Sequence, residues 1–213
     1  MNKKVNPALL EDNFAEAERQ IRGLEGVVSE YDIDIIDWSR GEKKTLPAVE
    51  VLKIATKTPF NFDLQMDDPR STVTTLINSG KARQIIINLA TNYPVADLLD
   101  QIRKHNILTG VSLNPENTID DLVPYLPYCD FVQIMTIMPG VQGNPFIPSR
   151  LSFAMEARDL GYEGLIGIDG GIRLENITLI RQYPIDVLSV GSTLSKAENP
   201  ALTYLELVKA FTA

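Results

Sequence analysis

The sequence contains few of the side chains that most often bind metals or act as nucleophiles. Among its 213 residues there is one cysteine, Cys129, and one histidine, His105. A single cysteine excludes an internal disulfide and a zinc site built from several thiolates. A single histidine excludes any site that needs two imidazoles. Acid–base chemistry must therefore rely on carboxylates, lysines or tyrosines.

Positive charge and long apolar runs are also scarce. The formal net charge is −8, and the basic residues do not cluster in the way that nucleic-acid binding requires. Neither a nucleic acid nor an anionic membrane surface is therefore an expected partner. No apolar run approaches the ~20 residues that cross a bilayer, and the first residues lack the apolar segment of a secretory signal. We expect a cytoplasmic protein.

Short β-type runs alternate with helical patterns along the whole chain. They recur roughly every 26 residues, and evenly spaced βα units are typical of a (β/α)8 barrel, the TIM barrel. An open doubly wound sheet is the alternative, but such sheets usually have fewer strands and a point where the strand order reverses. The sequence predicts one α/β barrel domain over residues 1–213. Its strands are expected to begin near Val5, Tyr31, Phe60, Gln84, Leu108, Phe131, Leu165 and Asp186.

Four aspartates lie where such a barrel would place its active site, at the C-terminal ends of the strands. Asp32 and Asp34 alternate with apolar residues in YDIDIID, so the period of two directs both into the barrel. Asp63 has the corresponding position on the third strand, Asp169 ends the seventh, and Asn88 on the fourth is expected to join them. Buried carboxylates need protons, a cation or water. The alternative is that some of them line a hydrated barrel mouth.

Loops that contain glycine follow the sixth, seventh and eighth strands. Phosphate sites in this fold are often built from the loops after strands seven and eight, where glycine lets backbone N–H groups approach an anion closely. Each loop alone is a weak signal, because glycine is common in turns. Together the loops predict a phosphate site. Its candidate residues are Gly140, Gly143, Gly170, Gly171, Gly191 and Ser192.

Several segments together resemble the ribulose-phosphate 3-epimerases: NPALLEDNF, DIDIIDWSRG, GVSLNPENTIDDL, MTIMPGVQGNPFIP, IGIDGG and DVLSVGST. The resemblance implies a (β/α)8 barrel isomerase that inverts C3 of a ketopentose 5-phosphate. It implies that Asp34 and Asp169 lie on opposite faces of the sugar, where one removes the C3 proton and the other returns a proton. It further implies a divalent metal held by these aspartates and two histidines, a small phosphorylated sugar as partner, and a homo-oligomer.

The sequence departs from the family pattern around the implied site. Asp32 and Asp63 stand where the family has its two metal-binding histidines. The candidate metal ligands are therefore Asp32, Asp34, Asp63 and Asp169, an all-oxygen set that favours Mg²⁺ or Mn²⁺ over Zn²⁺. The implied substrate pocket is altered as well, and Met135 is the only one of its five positions that keeps the family's residue. These five positions are Ala8, Ile36, Gln65, Asn88 and Met135.

These changes leave three hypotheses open. The first is an epimerase of a phosphorylated ketose, either ribulose 5-phosphate or a related sugar phosphate, with an altered metal site. The second is a non-catalytic relative that binds such a sugar and has lost the metal site. The third is a decarboxylase or aldol-type enzyme, but the Asp-x-Lys-x-x-Asp motif of such barrels lacks its lysine here, where Gln65 follows Asp63-Leu64. Retention of Asp34, Asp169 and the phosphate glycines favours the first hypothesis.

Overall fold

The computed structural model describes residues 3–39, 44–138 and 144–213. Eight parallel strands close into a barrel in chain order, because the first strand also pairs with the last. This closure confirms the predicted (β/α)8 fold and excludes the open sheet. The strands are β1 (Lys4–Leu9), β2 (Tyr31–Asp37), β3 (Phe60–Met66), β4 (Ala82–Asn88), β5 (Leu108–Leu113), β6 (Phe131–Met135), β7 (Leu165–Asp169) and β8 (Val187–Val190).

Helices connect the strands and cover the outside of the barrel. Within the described ranges, no helix is long and apolar enough to cross a membrane. Two short 3₁₀ helices, Val123–Tyr128 and Pro148–Leu151, precede β6 and α6. The α-helices are α1 (Phe14–Leu24), α2 (Ala48–Val51), α3 (Arg70–Ser79), α4 (Val95–Arg103), α5 (Ile119–Leu122), α6 (Ser152–Asp159), α7 (Leu174–Ile180), α8 (Ser192–Ser195) and α9 (Pro200–Thr212).

The predicted strand positions agree with the structure to within two residues. β4 begins at Ala82 rather than at Gln84, and β8 begins at Val187, one residue after the predicted start. Asp186 instead lies before the strand, where its carboxylate accepts hydrogen bonds from the Ile166 N–H at 2.9 Å and the Arg158 guanidinium at 2.8 Å. These bonds tie β7 and α6 to the entry of β8.

The main hydrophobic core lies between the barrel and its helices. Phe62 and Leu64 point outward from β3, and the helix residues Leu76 and Leu98 bury their side chains in the same core. Full burial of such a side chain stabilises the fold by about 1.5–3 kcal/mol. Because strand side chains alternate between two faces, this outward packing fixes the remaining strand residues inside the barrel.

A small apolar cluster lies at the N-terminal end of the barrel interior. It consists of Ile86, Phe131 and Val187, and it is separate from the main core. The Phe131 ring requires glycine on the neighbouring strand, since a Cβ atom on Gly167 would lie 2.4 Å from the ring. Polar groups also lie at this end, because Glu30 is buried there with an ion pair to Lys4 at 2.8 Å.

Candidate active site

The structure places all four predicted aspartates in the barrel. Asp32, Asp34, Asp63 and Asp169 are each no more than 8 % exposed. Asp34 on β2 is the register partner of Asp63 on β3, and Asp169 is the last residue of β7. The Thr45 hydroxyl donates to the backbone carbonyl of Asp34 at 2.7 Å and so fixes β2 at that residue.

Asp32 is the centre of a buried hydrogen-bond cluster. Its Oδ1 accepts from the Asn6 side-chain amide at 3.0 Å and from the Asn61 amide at 2.9 Å. Its Oδ2 accepts from the Ser189 hydroxyl. The Asn61 amide also donates to Glu30 at 3.1 Å, which connects the cluster to the N-terminal end of the barrel. Burial raises the pKa of Asp32 even though these hydrogen bonds oppose the shift.

Asp63 is the centre of a second buried cluster. Its Oδ2 accepts from the amides of Gln65 at 3.1 Å and Gln133 at 3.0 Å, and its Oδ1 accepts from the Ser112 hydroxyl at 3.0 Å. Burial raises the pKa of Asp63, its hydrogen bonds oppose the shift, and the nearby charge of Asp32 adds to it. The two clusters together fill the centre of the barrel with carboxylates, amides and hydroxyls.

Asp169 lies at the C-terminal end of the barrel, within electrostatic reach of both clusters. Burial is the largest cause that raises the pKa of its carboxyl group, and the charges of Asp63 and Asp32 raise it further. A hydrogen bond from the Gly170 backbone opposes these effects. Asp169 therefore holds its proton at higher pH than an exposed aspartate does.

The five predicted pocket residues are all buried. Ala8, Ile36 and Met135 are apolar and at most 7 % exposed. Gln65 supports Asp63 through its amide. The Asn88 amide donates to the Asn114 side chain at 3.0 Å and accepts the Ala90 N–H at 2.9 Å. These five positions thus combine apolar side chains with amides that are held by neighbouring groups.

Part of the predicted phosphate site can be described. Gly170 and Gly171 have positive φ angles of 107° and 68°. A Cβ atom on Gly170 would lie 2.4 Å from Ile137, so the close packing of the loops after β6 and β7 requires glycine there. The loop after β7 is tied to α8, because the Thr193 hydroxyl donates to the Ile172 carbonyl at 2.6 Å.

Two further predicted phosphate residues, Gly191 and Ser192, lie at the end of β8. Gly191 directly follows β8, and Ser192 begins α8. Both are partly exposed, as a ligand-binding position requires. Gly140 and Gly143 lie outside the described residues. Their part in a phosphate site stays a prediction.

The fit of a divalent metal depends on the oxygens that Asp32 and Asp63 can offer. Each carboxylate already accepts three hydrogen bonds, so N–H and O–H groups occupy most of the space around its oxygens. Among residues 3–39, 44–138 and 144–213, no three His, Cys, Asp or Glu side chains form a group that could hold a metal ion. The arrangement of Asp32 and Asp63 does not fit the role of metal ligands.

The hydrogen-bond partners of Asp32 and Asp63 were not predicted from the sequence. Polar residues at every second position of a strand were the available signal. In FNFDLQM, for example, Asn61, Asp63 and Gln65 share one face. The same period places Ser112 beside Asn114 at the end of β5, and it would have predicted an interior lined with amides and hydroxyls.

Arg150 is a further residue that the sequence analysis missed. It is 5 % exposed, and its guanidinium lies 3.7 Å from the centre of the Phe153 ring. It donates to the backbone carbonyls of Asn114 at 3.0 Å and Asn117 at 2.9 Å. Arg150 therefore holds the loop after β5, next to the amide pair of Asn114 and Asn88.

Comparisons with known proteins identify the family of the chain. A family model described as the ribulose-phosphate 3 epimerase family matches residues 4–195. A ribulose-phosphate 3-epimerase of Chlamydia pneumoniae is 31 % identical over 207 residues, which cover 93 % of this chain and 90 % of the relative. A ribulose-phosphate 3-epimerase of Mycobacterium tuberculosis (strain ATCC 25618 / H37Rv) is 28 % identical over 203 residues, 92 % of this chain and 88 % of the relative.

Among solved structures, a 3-hexulose-6-phosphate synthase from Salmonella typhimurium superposes with a TM-score of 0.74 at 14 % identity, covering 98 % of each chain. At that identity the likeness supports the barrel fold alone. The family match and the relatives carry the assignment further. The chain belongs to the ribulose-phosphate 3-epimerase family and is an epimerase-like isomerase.

Proposed function

We propose that the protein epimerises a phosphorylated ketose at C3 by proton transfer between Asp34 and Asp169. The observation that carries the proposal is the placement of these two buried carboxyl groups. Asp34 lies on β2 and Asp169 on β7, and β1 and β8 separate those strands on the shorter way around the closed barrel. Two carboxyl groups that enter from different sides of a barrel can address opposite faces of one bound sugar.

The two proton transfers that the reaction requires suit this pair. One carboxylate takes the proton from C3, and the electron pair of the C–H bond forms the C2=C3 double bond of an enediolate. The second carboxyl group must be protonated, so that it can return a proton to C3 from the opposite face. The raised pKa of Asp169 keeps its carboxyl group protonated near neutral pH. In this direction Asp34 is the base and Asp169 the acid, and the reverse reaction exchanges their roles.

A protonated Asp169 also assists the intermediate electrostatically. The enediolate is anionic, and a carboxylate beside it would repel the developing charge. The chain's own residues thus supply the acid, the base and the burial that excludes water from C3. Met135, the register partner of Asp169 on β6, offers the sugar an apolar contact.

The loops after β7 and β8 are the proposed phosphate site. Glycine at positions 170 and 171 permits the positive φ angles that turn the backbone at the end of β7. Backbone N–H groups at Gly191 and Ser192 would bind the phosphate from the end of β8. This places the phosphate next to Asp169 in sequence, with the reacting carbon toward the barrel centre. The proposed partner is therefore a small phosphorylated sugar. Self-association into a homo-oligomer stays a prediction, which the molar mass measured by light scattering would test.

The activity is tested by solvent deuterium exchange. The protein is incubated with D-ribulose 5-phosphate in D₂O, and NMR follows deuterium at C3 and the appearance of xylulose 5-phosphate. We expect both, and hexulose 6-phosphates are the next substrates if the pentulose is inert. Tight binding of these sugars without any C3 exchange would contradict the proposal and favour the non-catalytic, sugar-phosphate-binding alternative.

A further inference from the structure

We infer that Asp32 and Asp63 serve as hydrogen-bond acceptors that hold the polar side chains of the barrel interior in place, and that the protein holds no divalent metal there. The identity of the site rests on the proposed function, whereas the geometry of the two clusters does not. Both residues stand where the family resemblance places metal-binding histidines. In the structure, hydrogen-bond donors surround both carboxylates.

Three hydrogen-bond donors surround each of the two carboxylates. One oxygen of Asp32 accepts from two amides, one oxygen of Asp63 does the same, and the second oxygen of each accepts from a hydroxyl. An ionised carboxyl group has about four lone-pair positions. Three of them are thus already directed at N–H or O–H hydrogens. A divalent cation would have to displace these donors or bring its charge against their positive hydrogens.

The side chains around Asp63 suit a carboxylate better than an imidazole. A neutral imidazole carries one donor and one acceptor, whereas a carboxylate only accepts. The neighbours of Asp63 present two amide N–H groups and one hydroxyl, all within 3.1 Å. An imidazole could accept from only one of these donors. Carboxylate and neighbours therefore form a matched set, in which aspartate satisfies buried donors that histidine would leave unsatisfied.

The amide oxygens next to Asp32 do not complete the coordination shell of a metal ion. The side-chain oxygens of Asn6 and Asn61 are buried and have no hydrogen-bond partner in the described part of the chain. The nitrogen of each amide faces Asp32, so the amide oxygen is turned away from that carboxylate. These oxygens are thus not directed at an ion that Asp32 would hold.

Metal content tests the inference without reference to activity. The full chain is treated with EDTA, incubated with an excess of Mn²⁺ or Zn²⁺, desalted and measured by inductively coupled plasma mass spectrometry. Thermal unfolding is recorded with and without each ion. We expect no ion to be retained and no shift of Tm. Retention of one ion per chain, with a Tm that falls on addition of EDTA, would overturn the inference.

A substitution at Asp63 tests whether this residue is a ligand of any metal that is retained. Asp63→Asn keeps the shape of the side chain and one acceptor oxygen, and Asp159→Asn at the exposed end of α6 is the matched control. We expect both variants to equal the wild type in metal content. A loss of bound ion in Asp63→Asn alone would assign the ligand role to Asp63 and contradict us. An inactive protein that binds no metal would refute the proposed activity and leave this inference intact.

Discussion

The Ser189 hydroxyl on β8 donates a hydrogen bond to the buried carboxylate of Asp32 on β2, past the intervening strand β1. Gln133 on β6 reaches Asp63 on β3 in the same way, at 3.0 Å. Such bonds between strands that are not neighbours fill the barrel centre with a buried polar layer. Asp169 lies within the field of this layer, and the charges of Asp63 and Asp32 add to the effect of burial on its pKa.

The raised pKa of Asp169 predicts a pH-dependent cost in stability. Below the usual aspartate pKa of about 4, the carboxyl group is neutral in both folded and unfolded states. As the pH rises, the unfolded chain ionises first while the folded protein keeps its proton, so stability falls until the pH passes the raised pKa of the folded state. Each pH unit in this window costs about 1.4 kcal/mol.

Asp169→Asn removes this ionisation, and we therefore expect it to gain stability relative to the wild type as the pH rises. Urea unfolding of both proteins from pH 5 to pH 9 measures the difference. Asp159→Asn, which replaces an exposed aspartate, serves as the control. A stability difference between Asp169→Asn and the wild type that is constant with pH would show that Asp169 has an ordinary pKa.

Removal of the Asp63 carboxyl group should be far more costly than its neutralisation. Asp63→Ala leaves the donors of Ser112, Gln65 and Gln133 without their acceptor in a buried place. At about 1–3 kcal/mol for each unsatisfied group, we expect a loss of 3 kcal/mol or more. Asp63→Asn retains an acceptor oxygen, so its loss should be below about 1.5 kcal/mol. Equal losses in urea unfolding would refute the described role of the cluster.

Glycine at position 170 should be required for both packing and phosphate binding. In Gly170→Ala, the new Cβ atom would meet Ile137 at 2.4 Å on a backbone with φ of 107°. We expect a loss of about 1–3 kcal/mol in stability and at least about tenfold weaker binding of ribulose 5-phosphate by calorimetry, equivalent to 1.4 kcal/mol.

Gly23→Ala is the matched control for this substitution, because position 23 lies in α1 and a Cβ atom there would meet nothing within 4 Å. Alanine favours the helix, so this variant should be as stable as the wild type or more stable by up to about 1 kcal/mol. If Gly170→Ala behaves like Gly23→Ala in both measurements, the loop after β7 does not bind the phosphate in the way proposed.

The fold was predictable because its signals are local. Apolar runs such as QIIIN and FVQIM recur between helical patterns, and each strand lies within two residues of its predicted start. The period of two also placed Asp32 and Asp34 inside the barrel. These predictions depend only on the alternation of side chains along one strand.

The hydrogen-bond partners were not predictable in the same way. Asp32 meets Ser189, which is 157 residues away in sequence, and Asp63 meets Gln133 at a separation of 70 residues. Which interior residues meet depends on the stagger of neighbouring strands around the closed barrel, and a single sequence does not encode that stagger visibly. The resemblance therefore implied a metal at Asp32 and Asp63, whereas amides and hydroxyls surround both carboxylates in the structure.

The central claim is that Asp34 and Asp169 act on opposite faces of the same carbon, and half-reactions in D₂O test it most directly. Each variant, Asp34→Asn and Asp169→Asn, is incubated with D-ribulose 5-phosphate and, separately, with xylulose 5-phosphate. The carboxyl group that remains can still exchange the C3 proton of the epimer that faces it once it is ionised, which for Asp169 requires a pH at or above its raised pKa, although it cannot complete the inversion.

We predict that each variant exchanges deuterium into one epimer, that the two variants differ in which epimer they label, and that epimerisation falls by about 10²–10⁴ in both. NMR resolves the C3 signal of each sugar. Wild-type epimerisation by either variant, or labelling of the same epimer by both, would contradict the two-aspartate account.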